Sequence, residues 1–65
     1  MKIIVNYEYD AKLAPHYFAK TNVNGEDLLA SGDNWEHAKS RLKSYVADFV
    51  NRGHVPEPEE VEVFN

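Results

Sequence analysis

Two carboxylates two residues apart, Glu8 and Asp10, are the side chains best spaced for chemistry in this sequence. If the strand that carries them continues, both point to the same side and could share a divalent cation. A two-metal nuclease centre needs several carboxylates converging on such ions. No third acid is clearly placed beside these two; Asp33 and Asp48 stand elsewhere. Solvated turn carboxylates are the plainer reading. The histidines, His16, His37 and His54, are distant in sequence, and none has a partner at a zinc-ligand spacing. His37 has Arg41 four residues on, a poor neighbour for a cation. All three read as surface or packing residues. Ser31, Ser40 and Ser44 show no nucleophile-elbow context. Gly25, Gly32 and Gly53 each suit a turn or a cap, which leaves no phosphate-cradling loop. Lys39, Arg41 and Lys43 form the one basic cluster, spread over the exposed half of a helix and interrupted by Glu36 and Asp48. A solvated face explains them better than a nucleic-acid site. No catalytic, metal or cofactor-binding residue is assigned, and neither catalysis nor a cofactor is expected.

The elements that would position any site are organised around Asp33 to Gly53. Apolar residues Trp35, Ala38, Leu42, Tyr45, Val46, Phe49 and Val50 recur mostly at steps of three and four, which predicts one amphipathic helix with its stripe against a sheet. Asp33 is the expected N-cap, with Glu36 as the reciprocal acceptor of a capping box. Arg52 suits the last turn, Gly53 is expected as a left-handed residue just past the end, and Pro56 prevents a restart.

Before the helix, Lys2 to Tyr9 alternates as a strand, with Ile3, Val5, Tyr7 and Tyr9 on one side. Asp10 to Pro15 is a turn. His16 to Val23 is a second strand, in which Tyr17, Ala19 and Thr21 oppose His16, Phe18 and Lys20. Asn24-Gly25 is a hairpin signal, because both residues tolerate the positive φ of a type I′ turn. A short third strand runs from Glu26 to Ser31. After the helix, His54 to Pro58 is an extended linker and Glu59 to Phe64 a last strand, with Val61 and Val63 opposite Phe64. The fold class is therefore α+β: β-β-β-α-β, a four-stranded mixed sheet in the order 3-2-1-4, first and last strands parallel, one helix on one face.

With 65 residues the chain makes one domain, residues 1–65. So short a chain buries only about 60% of its unfolded surface and has no cysteine for a disulfide, so oligomerisation is the expected extra source of stability. If Ile3, Val5 and Tyr7 face the helix, Ile4 points the other way, and Phe18, Leu28 and Phe64 could join it, depending on register. An apolar patch on a helix-free face is usually an interface, so a homodimer or higher homo-oligomer is expected there. Eleven acids against seven bases give a formal charge of −4. That balance disfavours nonspecific nucleic-acid binding and an anionic membrane, and suits a basic partner. The apolar run Ile3-Ile4-Val5 is too short for a signal peptide, and no stretch approaches a membrane span. A cytoplasmic protein is expected.

Gly32-Asp33-Asn34-Trp35-Glu36-His37-Ala38, followed by a helix and then Arg52-Gly53-His54-Val55-Pro56-Glu57-Pro58, resembles HicB-type antitoxin domains. That family shows a Gly-Asp helix start with glutamate and alanine behind it, a helix of similar length, and an exit through glycine and spaced prolines. The resemblance covers Ala30 to Pro58, and the N-terminal hairpin in outline. Where the family usually carries a Pro-Asp-x-Pro-Gly-Cys segment, this chain has the plain hairpin Asn22 to Leu28. The resemblance implies a partial, degraded ribonuclease-H-like fold without catalysis. It also implies a non-catalytic antitoxin role: binding and neutralising a small basic ribonuclease toxin, in a toxin–antitoxin pair. Glu26, Asp27, Glu57, Glu59 and Glu60 would be the acidic groups that face such a partner. The α/β unit uses the whole sequence, so no separate DNA-binding domain and no direct DNA binding are expected. A stand-alone homo-oligomeric structural or regulatory domain is the alternative, and a metal-dependent nuclease using Glu8 and Asp10 the remote one.

Overall fold

The computed structural model describes residues 1–53 and 55–64. Along the chain lie β1 (Lys2–Tyr9), β2 (Tyr17–Val23), β3 (Glu26–Gly32), α1 (Trp35–Gly53) and β4 (Glu59–Phe64). The four strands form one sheet in the order β3-β2-β1-β4. Neighbours are antiparallel except β1 and β4, which run parallel. This is the mixed sheet that the strand and turn pattern predicts. His16 falls just outside β2, and Gly32 prolongs β3 by one residue.

Local chemistry explains the turns. Asn24 (φ 51°) and Gly25 (φ 87°) both sit in the left-handed region, as a type I′ turn requires. The Asn22 side chain fastens this turn: its Oδ1 accepts from the Gly25 N–H at 3.0 Å and its Nδ2 donates to Asp27 Oδ1 at 2.9 Å. At the other end of the sheet, Asp10 organises the β1–β2 connection. Its Oδ1 accepts from the Lys12 N–H at 2.9 Å, and its N–H donates to His16 O at 2.8 Å. The paired register between β1 and β2 covers Asn6↔Lys20 to Tyr9↔Tyr17. Beyond it, the Thr21 hydroxyl donates to Ile4 O at 2.9 Å and satisfies that carbonyl.

The helix start corrects one expectation. The cap is Asn34, not Asp33. Asn34 Oδ1 accepts from the His37 N–H at 2.8 Å, and Asn34 O takes the first helical bond, from the Ala38 N–H at 3.1 Å. Asp and Asn cap equally well, and the apolar spacing does not say which of two adjacent cappers opens the first turn. The reciprocal partner also differs: the His37 ring, not Glu36, reaches back, its Nδ1 accepting from the Asp33 N–H at 3.4 Å. Asn34→Ala should therefore cost about 1 kcal/mol and Asp33→Ala much less, read as urea midpoints of the two variants. At the far end, Gly53 is itself helical and has no positive φ. The Val55 N–H donates to Val50 O at 3.4 Å and closes the last turn. His54, expected at the start of the linker, lies outside the described residues.

The core lies between the sheet and one side of α1. Ile3, Val5 and Tyr7 of β1, Ala19 and Val23 of β2 and Ala30 of β3 are buried against Ala38, Leu42 and Val46. Trp35, Phe49 and Val50 extend the stripe as half-buried residues. Tyr45 does not join it and is 47% exposed. At about 100° per residue it falls on the flank shared with Arg41, off the centre of the stripe. Arg41 Nη1 reaches from that flank to donate to Ser31 O on β3 at 3.3 Å. No helix among the described residues is long and apolar enough to cross a membrane.

Candidate protein-binding surface

The register decides which side chains each sheet face presents. On the face away from α1 stand Ile4, Phe18, Leu29, Val61 and Val63, grouped around the Glu8–Lys20 ion pair, 2.9 Å apart. Ile4 and Phe18 are there as expected. Leu28 and Phe64 are not. Leu28 pairs with Thr21, whose side chain is buried beneath the helix, so Leu28 packs on the core from the covered side. Phe64 pairs with Tyr7 and stacks on its ring, with centroids 4.6 Å apart. Leu29, Val61 and Val63 take their places on the open face. The two-residue turn already fixes this for β3, since Val23↔Glu26 forces Thr21↔Leu28.

At the end of the sheet where α1 begins, the covered side is aromatic. Trp35 meets Tyr7, Tyr17 and Phe64 edge-on, with centroids 6.0, 4.7 and 5.6 Å away. Burial pushes the Tyr7 hydroxyl well above the ordinary tyrosine range. The Glu62 carboxylate adds to this as hydrogen-bond acceptor and as neighbouring charge, and Glu60 and Glu36 repel the phenolate further. The raised value favours the neutral form in the folded state. The stability it contributes is present below the unfolded pKa of about 10 and is lost as pH rises beyond it. Urea unfolding at about pH 8 and about pH 11 should show a fall for the parent chain and a smaller fall for Tyr7→Phe.

The opposite end is acidic. β1 and β4 both start there, with Lys2↔Glu59 in register and the Glu59 N–H donating to Met1 O at 2.8 Å. Because β2 runs antiparallel to β1, the β2–β3 turn lies at the same end. Glu26, Asp27, Glu57, Glu59 and Glu60, scattered in sequence, thus stand at the same end of the sheet, the first two at the β3 edge and the others at the β4 edge. All but the half-buried Glu60 are exposed. Beside Glu57 and Glu60, between the C-terminal half of α1 and the entry to β4, runs a groove of about 250 Å³. Val46, Ala47, Val50 and the buried Pro58 supply its apolar lining, and Glu57 and Glu60 its strand-side rim. The sequence carries a signal for it in Val50 and Pro58, but only the crossover geometry brings them together.

The remaining candidate groups are occupied locally. Glu8 holds Lys20, and Asp10 holds the β1–β2 turn. Both border a shallow hollow on the open face with Leu13, Phe18 and Leu29. Among the described residues, no three of His, Cys, Asp and Glu come together as a metal site. His16 Nδ1 lies 3.1 Å from Asp10 O. Of the basic cluster, Lys39 pairs with Glu62 at 3.3 Å, Arg41 binds the β3 backbone and Lys43 borders the groove. Comparison of the chain with protein-family models, with curated proteins and with solved structures gives no match in any of the three.

Proposed function

We propose that this chain is a non-catalytic protein-binding module of the HicB-like antitoxin kind, which neutralises a small basic ribonuclease toxin by covering it. The observation that carries this reading is that Glu26, Asp27, Glu57, Glu59 and Glu60 all stand at one end of the sheet, where Glu57 and Glu60 border an apolar groove. Carboxylates on the rim steer a basic partner into encounter, and apolar contact then sets the lifetime of the complex. A net charge of −4 acts in the same direction at long range. Co-expression with a small basic protein encoded beside this gene provides the test. The expected result is a complex that survives purification, restores growth and dissociates as salt is raised. A neighbour that neither co-purifies nor is neutralised overturns the reading.

A second reading rests on a different surface. Ile4 is 58% and Leu29 56% exposed on the open face, with Val61 and Val63 beside Ile4. A second copy covering this face would yield a stand-alone homo-oligomeric domain. Sedimentation at two concentrations reads this directly: Ile4→Lys should shift the mass towards the monomer, and a parent chain that is monomeric at both concentrations removes the idea.

A further inference from the structure

We infer that the seam between α1 and β4 receives a basic amphipathic helix of the binding partner, laid alongside α1 on the same face of the sheet. This rests on the reading that the partner is a basic protein, and names the element of that partner and the place it occupies.

The first argument is one of width. Four strands about 4.8 Å apart make a sheet roughly 19 Å across, whereas one helix with its side chains spans about 10 Å. A single helix therefore covers about half of such a face. Here α1 lies towards β3 and β2, where Arg41 reaches Ser31 O and Gly32 touches the first turn. On the β4 side, the residues that point to the helix side are Glu60, Glu62 and Phe64, in register with Ile3, Val5 and Tyr7. Their β1 partners are buried, but Glu62 and Phe64 remain exposed, Phe64 at 59%. The outer half of the covered face has no second layer among the described residues.

The second argument is the chemistry along that strip. It runs from the exposed Phe64 and half-buried Trp35, past the Lys39–Glu62 pair, to the groove over Val46, Ala47, Val50 and Pro58. An incoming helix with an apolar stripe finds apolar footing at both ends, one helical diameter from α1. Its polar flank meets Glu57, Glu60 and Glu62 on the strand side. On the α1 side stand Lys39, already paired, and Lys43. Between Phe64 and Pro58 the strand wall is thus acidic, and lysine or arginine on the flank turned to β4 is the complement.

The experiment uses the full chain, labelled for amide shift mapping. The probe is a synthetic amphipathic helix with leucine at helical spacing and lysine elsewhere; the control is the same peptide with glutamate for lysine. Shifts at Val46, Ala47, Val50 and Glu60 with the lysine peptide alone are expected. Two variants should each weaken it by about ten-fold or more: Ala47→Arg, an exposed helix position where arginine is well tolerated, and the double change Glu60→Lys with Glu62→Lys. Shifts confined to Ile4, Phe18 and Leu29, equal binding of the glutamate peptide, unaltered affinity in the variants, or no shift at all would overturn the inference and leave the glutamates as guards of the β4 edge. Failure here separates from failure of the antitoxin reading. A toxin complex indifferent to Ala47→Arg defeats the seam alone. Peptide binding at the seam without any toxin partner defeats the toxin alone.

Discussion

Leu42→Ala should leave the chain largely unfolded at room temperature. Leu42 is 1% exposed, at the centre of the stripe that α1 lays on the sheet, and it is among the largest fully buried side chains. Truncating a buried leucine costs about 2–5 kcal/mol, because apolar contacts vanish and the cavity collapses only in part. A domain near the lower end of the usual 5–15 kcal/mol range can lose most of its stability to one such change. Urea unfolding followed by circular dichroism should show a lost or strongly shifted transition. Tyr45→Ala, on the same helix but half exposed, serves as the control and should move it by less than about 1 kcal/mol. Equal effects from the two changes would mean that the stripe faces solvent.

Gly32→Ala is the second large effect, and its cause is space rather than backbone freedom. Gly32 is buried where β3 passes beneath the first turn of α1. A Cβ there would lie 2.7 Å from the Ala38 nitrogen, 2.8 Å from His37 Cβ and 2.9 Å from the His37 carbonyl carbon. Two of the three are backbone atoms of a capped turn and cannot swing aside. Either β3 or the helix start must move, at a cost of about 1–3 kcal/mol. Gly53→Ala makes the contrast. Its Cβ would meet Val55 Cγ1 at an ordinary 3.6 Å, and the residue is already helical. That change should be neutral or stabilising by up to about 1 kcal/mol. Midpoints moving in opposite directions for the two alanines would separate steric exclusion at Gly32 from a general liking for glycine.

Much of the architecture could be read from local chemistry. Asn24-Gly25 fixed a turn type and with it the β2–β3 register. Alternation in Lys2 to Tyr9 and the spacing from Trp35 to Val50 gave the two periods, and the short connections left few sheet orders. The misplacements have separate physical causes. Asp33 and Asn34 are equivalent cappers, so the first turn could begin after either. Gly53 suits a left-handed terminator by position, but a glycine near a helix end can equally stay helical. Leu28 could have been placed by counting back through the hairpin from Glu26 to Thr21. Phe64 could not, since its strand arrives by a crossover and no tight turn ties its register to β1. The surface was less legible than the fold. Glu26 and Glu59 are far apart in sequence, and only the parallel return of β4 beside β1 brings such residues to one end.

The early end of the β1–β2 ladder, where the Thr21 hydroxyl takes over Ile4 O, bears on how the molecule opens. Four register pairs join β1 to β2, against seven between β2 and β3 and six between β1 and β4. The sheet is thus two well-zipped ribbons with a shorter zip between them. Partial opening should separate the ribbons along this join before either comes apart internally. Amide deuteration would then reach the N–H groups beside Ile4 and Thr21 before those held inside each ribbon, while the outward-facing N–H groups of the edge strands β3 and β4, which have no neighbouring strand among the described residues, exchange first of all.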